Sequence, residues 1–415
     1  MIKKSFLLVL LVCTIAYPTS KEVIRNKIES LINNLPKGTV SGILIFNPLT
    51  EDTIYQLNYT QSMIPASNTK LFTTATALSL MGGNYPLKTV ISSADKNIKD
   101  GVVDGDLFIK GYGNSVLTSE GIDTMAIELR AKGIKKVTGD IVGDDSYFDE
   151  VYTRDDWIRD EKANVKLPPI SALVVDRNRT IIYRKRGRYR RRYVAYVKNP
   201  PLNAALILRR KLKEQGIEVE GKAVKGVTPS NTVNLTESKI LLKDLIKLIN
   251  KHSDNFLAEC LFKTIGAVTS GNQGNSFYST QAILNFISDN GIYSKGTAVV
   301  DGSGISRFDQ VTPGAIVGLL EKMYFDLVNF KDFYNSLSIA GIDGTLRQRL
   351  NNTFAQNNFH GKTGTLNGVC SLSGYLTTKS KDEIILSIFF DFHHRGENYY
   401  RRIQDEIVKI LADWD

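Results

Sequence analysis

The chain has 415 residues, too many for one small core and enough for two or more domains. Its composition is that of an ordinary globular protein, with no internal repeat or long linker, which excludes a repeat array or a largely unfolded chain. The net charge of +10 suits an anionic polymer or surface as partner, and equally suits solubility alone.

Lys3 and Lys4 precede an apolar run from Phe6 to Ala16, and polar residues follow from Thr19. This reads as a secretory signal peptide over residues 1–16, removed by about residue 20. The run is shorter than the roughly 20 apolar residues of a spanning helix. Val12 before Cys13 is a poor fit to a lipidation site. The expectation is an exported protein, periplasmic, soluble or loosely held at a membrane. Without Lys3 and Lys4 the 53 basic residues fall to 51 against 43 acidic ones, a net charge of +8. Cys260 and Cys370 remain after export. They can pair in an oxidising compartment, but their apolar contexts favour two buried free thiols.

Apolar residues at helical spacing predict a helix over Lys21–Leu35. Strands follow at Val40–Phe46 and Thr53–Leu57, then a helix from about Ile64 to Leu80 ended by Gly82-Gly83. From Tyr85 to about Thr236 short β-like runs dominate: Thr89–Ile91, Asp106–Ile109, Val137–Val142, Ala172–Val175 and Tyr193–Val197. Helical pieces lie between them at Gly121–Lys132 and Leu202–Gln215. This reads as a domain over 85–236 inserted into another made of 21–84 plus 237–415. Leu241–Ala267 and Gly274–Asn290 read as helices, as does Thr312–Phe325 with Pro313 in its first turn. Asp301–Arg307 and Ala340–Leu346 are tight Gly-rich turns. Gly361–Thr365, Val369–Leu376 and Glu383–Phe390 read as adjacent strands. Tyr399–Trp414 is an amphipathic helix, with Ile403, Ile407, Ile410 and Leu411 on one face, that suits packing on the sheet better than lying on a membrane.

Within the middle segment, seven of the nine residues 184–192 are cationic: Arg184, Lys185, Arg186, Arg188, Arg190, Arg191 and Arg192. Like charges so close do not enter a core, so this is an exposed loop or hairpin tip. Contact with an anionic polymer or membrane surface is one reading and a solvated loop the other. The export signal argues against nucleic acid.

Three short motifs carry chemistry. Ser67 and Lys70 lie just under one helical turn apart and share a face. Ser253-Asp254-Asn255 and Lys362-Thr363-Gly364 follow, the last at the head of a strand. Each alone arises often by chance, as helix surface, helix cap or turn. Together they stand in the order used by penicillin-binding proteins and serine β-lactamases. Lys70 can act as base on the Ser67 hydroxyl if burial lowers its pKa. Ser253 can pass a proton, and Asn255 can hold a peptide. Lys362 offers fixed positive charge, and Thr363 a hydroxyl for a carboxylate. The strand edge after Gly364 can pair with an extended substrate. The N–H groups of Ser67 and Thr365 are candidates for an oxyanion hole. A phosphate loop at 361–363 is excluded because Gln356 stands where a glycine is needed. No Gly-x-Ser-x-Gly and no metal-ligand spacing is present, so no metal or cofactor is expected.

The chain resembles the D-alanyl-D-alanine carboxypeptidase/endopeptidase group of low-molecular-mass penicillin-binding proteins, class C type. Pro65–Leu71, Gly143–Phe148, Pro169–Leu173, Asp301–Arg307, Ala340–Leu346 and Gly361–Tyr375 carry the likeness, which runs from about residue 22 to the end. The resemblance implies a mixed α/β (α+β) penicillin-binding core, an antiparallel sheet flanked by helices, with a domain inserted between the first two motifs. It also implies a third β subdomain inside the insertion, reduced here to about 178–200. It makes Ser67 the acylated nucleophile and Lys70 its base, places Ser253 and Asn255 along the cleft, and sets Lys362, Thr363 and Gly364 at the substrate carboxylate. It gives Asp144, with Asp145 next to it, the amino end of the stem-peptide side chain, with Arg307 at the other end of that pocket. The expected substrates are peptidoglycan stem peptides and cross-links, with β-lactams as covalent inhibitors. A β-lactamase and a non-catalytic wall-binding protein are the rival readings. Against the first, no Glu-x-x-Leu-Asn segment is present. Against the second, the motifs are intact.

Overall fold

The structure is a computed structural model and describes residues 20–157, 167–187, 189–293 and 295–415. The expected signal peptide, Cys13 and Arg188 lie outside these. The chain begins with α1 (Ser20–Asn33), β1 (Val40–Asn47), β2 (Asp52–Leu57) and α2 (Thr69–Met81). The middle segment holds β3 (Pro86–Ser93), β4 (Val102–Val103), β5 (Leu107–Tyr112), α3 (Ser119–Ala131), β6 (Lys136–Val137) and β7 (Ile141–Asp144). It continues with β8 (Arg179–Arg186), β9 (Tyr189–Tyr196), α4 (Pro200–Glu214), β10 (Glu218–Val219), β11 (Ala223–Lys225) and β12 (Val233–Leu241). The helices α5 (Leu242–His252), α6 (Asn255–Ser270), α7 (Ser276–Asp289), α8 (Pro313–Tyr324) and α9 (Phe330–Ser336) follow. The chain ends with β13 (Ser338–Ile339), β14 (His360–Leu366), β15 (Val369–Thr377), β16 (Glu383–Asp391) and α10 (Glu397–Ala412).

The main sheet has the order β13–β14–β15–β16–β1–β2, antiparallel at every step. Its first strand in sequence thus pairs with its last. Alternation along β15 and β16 sends side chains to two separate cores. Tyr375, Ile385 and Phe389 join a cluster with α2, α5, α6 and α8. Leu372, Leu376, Leu386, Ile388 and Phe390 join one with α1 and α10. The final helix therefore packs on the sheet: Tyr400, Ile407, Val408 and Leu411 are buried, and Ile403 and Ile410 lie against the same cluster. Every residue of α2 from Thr69 to Leu78 is buried, which places this helix inside the fold instead of on its surface.

The middle segment leaves and returns side by side, since β3 and β12 pair antiparallel over Pro86↔Leu241 to Ser93↔Val233. It forms a five-stranded sheet, β11–β7–β5–β3–β12, and a three-stranded one, β10–β6–β4. A third apolar cluster lies between these strands and α3 and α4. Two expected strands differ. Val137–Val142 is divided between the two sheets at Thr138–Asp140. Ala172–Val175 is buried but forms no strand, because it crosses the face of β5. A Cβ on Gly111 would stand 2.0 Å from the Ala172 carbonyl oxygen. Apolarity reported burial there, and not pairing. The basic run is a hairpin, β8–β9, in a two-stranded sheet of its own. Among the described residues, no helix is long and apolar enough to cross a membrane.

Cys260 and Cys370 are free and buried, in the two cores on opposite faces of the main sheet. Burial raises the Cys260 thiol far above its usual range and the Cys370 thiol to about 11. Because the thiolate is the reactive form, neither residue should take up maleimide in the native protein at neutral pH, whereas both should label in guanidinium chloride. Peptide mapping reads this out, and native labelling of either cysteine would contradict their placement.

Candidate active site

Ser67 lies on a single tight turn, Ala66–Asn68, that runs directly into α2. Ala66 adopts φ of 48°, a left-handed conformation that costs a non-glycine residue about 1 kcal/mol or more. Neighbouring chains hold this turn in place. Ser371 donates to the Pro65 carbonyl at 2.7 Å, and the Asn68 amide donates to Ser371 at 2.5 Å. Two glycines let backbone approach it. A Cβ on Gly304 would sit 1.9 Å from the Ala66 oxygen, and one on Gly364 would sit 2.7 Å from the Pro65 oxygen and 3.0 Å from the Ser67 nitrogen.

Lys70 is one turn further along α2. Its ammonium donates to the Ser67 hydroxyl at 2.9 Å, to the Asn255 side-chain oxygen at 2.6 Å, and to the Ser303 carbonyl. The side chain is fully buried, and burial lowers its pKa to about 8 against the opposing pull of Asp301, then Glu259. Asp301 also shapes the 301–307 loop, accepting the amides of Ser303, Gly304 and Ser306.

The second motif interrupts a helix. The apolar pattern predicts one helix over Leu241–Ala267, but the structure has two, broken at Ser253. That residue takes φ of 52° and closes α5. Asp254 then caps α6 by accepting the Leu257 amide at 3.0 Å, and it also holds Arg177 at 2.8 Å. The break turns the Ser253 hydroxyl toward Lys362, which donates to it at 2.8 Å, and leaves Asn255 at the first position of α6, facing Lys70.

The third motif lies on β14. Period-two alternation buries Lys362 and Gly364 and turns Thr363 and Thr365 outward. Lys362 is fully buried, and its second bond goes back to the Thr363 carbonyl at 2.7 Å. Burial and then the charge of Lys70 push its pKa well below the usual range. Its ammonium is directed at the hydroxyl of Ser253, a residue that lines the cleft. Thr363 bonds Thr345 at 2.9 Å, and Arg401 of α10 donates to Thr365 at 3.1 Å. Opposite β15, β13 pairs only with Gly361 and His360, so among the described residues no strand covers 362–366 on that edge.

Ser67, Ser253, Asn255, Thr363 and Thr365 thus line one cleft of about 780 Å³. The same cleft includes Thr345, Arg349 and Arg401, which sequence reading did not assign to a site. Ala340–Leu346 was legible as a turn but not as a wall. The polar face of the last helix carried no motif.

Asp144 and Arg307 do not line the cleft. The Asp144 side chain is fully buried at the end of β7, where it accepts the amides of Ser146 and Thr228 and pairs with Lys110 at 3.1 Å. Asp145 is likewise occupied by Tyr152 and Ser171. The expectation that either meets a substrate is not met by this geometry, since their oxygens are taken up inside the fold. Arg307 donates to the Asn367 carbonyl at 2.7 Å and so ties the 301–307 loop to the turn between β14 and β15.

The chain is 27% identical to a D-alanyl-D-alanine carboxypeptidase of Actinomadura sp. (strain R39), over 94% of this chain and 85% of that one. It is 26% identical to the D-alanyl-D-alanine carboxypeptidase DacB of Haemophilus influenzae, over 89% of each. The fold matches the crystal structure of penicillin binding protein 4 (dacB) from Haemophilus influenzae with a TM-score of 0.80, at 24% identity, covering 92% of this chain and 99% of that one. A second structure of that protein, complexed with a β-lactam, matches with a TM-score of 0.75. The family described as D-Ala-D-Ala carboxypeptidase 3 (S13) matches residues 24–188 and 186–414, nearly all of the described fold. With Ser67 and β14 meeting in one cleft and the buried Lys70 bonded to that serine, the chain belongs to this family and is a serine-type DD-peptidase.

Proposed function

We propose that the protein cleaves the D-Ala-D-Ala bond of peptidoglycan stem peptides, and the D-Ala bond of their cross-links, through an acyl-enzyme on Ser67. The observation that carries this reading is the buried Lys70 ammonium, 2.9 Å from the Ser67 hydroxyl with its pKa near 8. Neutral Lys70 takes the hydroxyl proton, and Ser67 attacks the carbonyl carbon of the penultimate D-alanine. The N–H groups of Ser67 and Thr365 receive the oxyanion. The tetrahedral carbon then collapses with loss of the amine, whose proton returns through Lys70 or Ser253. Water cleaves the ester by the same route reversed and restores Ser67. Asn255 and the open edge of β14 hold the extended peptide, and Thr363 and Thr365 its carboxylate. A β-lactam enters the same way and leaves an ester that water reaches slowly. The Haemophilus influenzae complex supports this inhibitor class.

The finer points of organisation belong to the same proposal. Residues 85–236 act as an inserted domain that braces the cleft, with Arg177 holding Asp254 and Asp156 accepting from Ser306 at 2.9 Å. The protein works outside the cytoplasm, where its substrate is. The β8–β9 hairpin, with Arg184, Lys185, Arg186, Arg190, Arg191 and Arg192, together with Arg188, contacts an anionic polymer or membrane surface. Arg184↔Arg191 and Lys185↔Arg190 are directly opposite like-charged pairs, which destabilise a hairpin unless an anion lies against them.

Labelled penicillin should leave one stable adduct on the Ser67 peptide, absent in Ser67→Ala; penicillin consumed without an adduct would point to a β-lactamase, and intact penicillin without an adduct to a binding protein. Acylation needs neutral Lys70, so its rate should rise with pH and reach half its maximum near about 8. Lys70→Ala should lose about 10²–10⁴-fold; a profile rising only near the ordinary lysine value would refute Lys70 as base. Retention on cell walls or anionic vesicles should weaken with salt and vanish when 184–186 and 190–192 are changed to Ser, while penicillin acylation persists; salt-independent retention would leave the hairpin a solvated loop.

A further inference from the structure

The catalytic cleft uses one end of two helices. Ser67 and Lys70 stand at the head of α2, and Asn255 at the head of α6. At the far end of both lies another groove, of about 670 Å³, lined by Ser79 and Leu80 from α2 and by Thr269 and Ser270 from α6. α2 has 13 residues, so at 1.5 Å per residue this groove is about 20 Å from the Ser67 end. A hollow of about 580 Å³ continues it to the β1–β2 edge of the main sheet, and Asn290 and Lys322 line both. The two make one furrow, remote from the chemistry.

The lining is of two kinds. One stripe of α7 supplies Tyr278, Gln281, Asn285 and Asp289, which follow at three- and four-residue steps and so share a face. Among the described residues, no hydrogen bond or ion pair engages the side chains of Gln281, Asn285, Asp289 or Lys322. A side-chain amide both donates and accepts. The hollow adds three open rings, Tyr59 at 36%, Tyr293 at 44% and Phe325 at 54% exposure. Tyr324 meets Phe325 edge to face with ring centres 5.2 Å apart, which holds that ring in place. The charge of the furrow is acidic, Glu321, Asp289 and Asp326 against Lys322, although the whole chain carries +10. A phosphate-rich polymer or an anionic lipid surface is repelled here. Unpaired amides beside open rings suit a neutral, hydroxylated chain. The apolar face of a sugar ring lies on an aromatic ring, and its hydroxyl and acetamido groups bond the amides.

We propose that this furrow binds the glycan strand of peptidoglycan through its N-acetylated sugars. The inference rests on the DD-peptidase reading given above, which makes the wall polymer the substrate. Distance decides which strand is held. A stem peptide of about five residues extends to roughly 17 Å at most. α2 runs through the interior, with Thr69 to Leu78 buried, so a peptide leaving the furrow has to travel further than its own length around the outside to meet Ser67. The strand in the furrow is therefore a neighbour of the one whose peptide is cut. It acts as a tether, raising the local concentration of stem peptides at the cleft without touching the reacting atoms.

The probe is the chitin tetramer, an uncharged β-linked chain of N-acetylglucosamine, titrated calorimetrically into wild type, a Gln281→Ala, Asn285→Ala double variant and Phe325→Ala. All three positions are exposed, and alanine suits a helix, so the fold is kept. Wild type should bind the tetramer equally well before and after acylation by penicillin, and each variant should bind it about 10-fold more weakly. On insoluble peptidoglycan at low load, the double variant should release D-alanine about 10-fold more slowly than wild type, whereas its penicillin acylation and its kcat/KM on a soluble D-Ala-D-Ala peptide should match wild type. No tetramer binding, equal binding by all three proteins, or equal rates on insoluble peptidoglycan would overturn the proposal. Binding lost on acylation would overturn it too, by placing the sugar chain in the Ser67 cleft. Wild-type protein that takes no penicillin and cleaves no soluble peptide would instead overturn the DD-peptidase reading, and tetramer binding that depends on Gln281 and Asn285 would then leave the furrow as a glycan site of a wall-binding protein.

Discussion

Two lysines are buried in one small volume, and much of the architecture exists to tolerate them. An ammonium out of water loses most of its hydration, and a second one nearby adds repulsion. Among the described residues, neither Lys70 nor Lys362 forms an ion pair with a carboxylate. Each is held instead by neutral oxygens: Ser67, Asn255 and the Ser303 carbonyl for Lys70, and Ser253 and the Thr363 carbonyl for Lys362. Such contacts support a lysine without locking it in the charged form, and a base for Ser67 has to be neutral.

The acids beneath Lys70 fit the same requirement. Burial and the neighbouring Asp301 raise Glu259 to about 8, and the same two causes push Asp309 well above the usual carboxylate range. Two of the four carboxylates that act on Lys70 thus favour their neutral forms and exert less pull on the ammonium. Asp301 is spent on three backbone amides of its own loop. Strain is placed at the same site: Ala66 and Ser253, each next to or within a motif, both hold left-handed backbone. The surrounding packing over-determines them, from Gly304 and Ser371 on one side and from Asp254 and Arg177 on the other. The middle segment contributes through Arg177 and Asp156, so a region far from the motifs in sequence helps set their geometry.

Much of this was legible in the sequence. Ser67 and Lys70 share a helix face because three residues are just under a turn, and alternation along β14 separates Lys362 from Thr363 and Thr365. The strands and helices of the main sheet follow from apolar periods of two and 3.6. The failures are as instructive. Leu241–Ala267 has an unbroken apolar period, because α5 and α6 bury their faces in the same core, and so the break at Ser253 left no mark in the pattern. Ala172–Val175 looked like a strand because it is buried. Asp144 was given the amino end of the stem-peptide side chain by resemblance alone, yet its carboxylate is used by Lys110 and two amides.

The sequence by itself therefore carried the likeness to the family, most strands and helices of the main sheet and the order of the three motifs, since these depend on local residues, spacing and apolar period. Tertiary structure alone decided which charges face the cleft. Lys362 and Arg401 are both cations in sequence. Only the packing of β14 against the α5–α6 break holds the first against Ser253, and only the placement of α10 brings the second to Thr365. Burial and through-space contact fix the charge a group carries and the partner it meets, and neither is a property of a residue's neighbours along the chain.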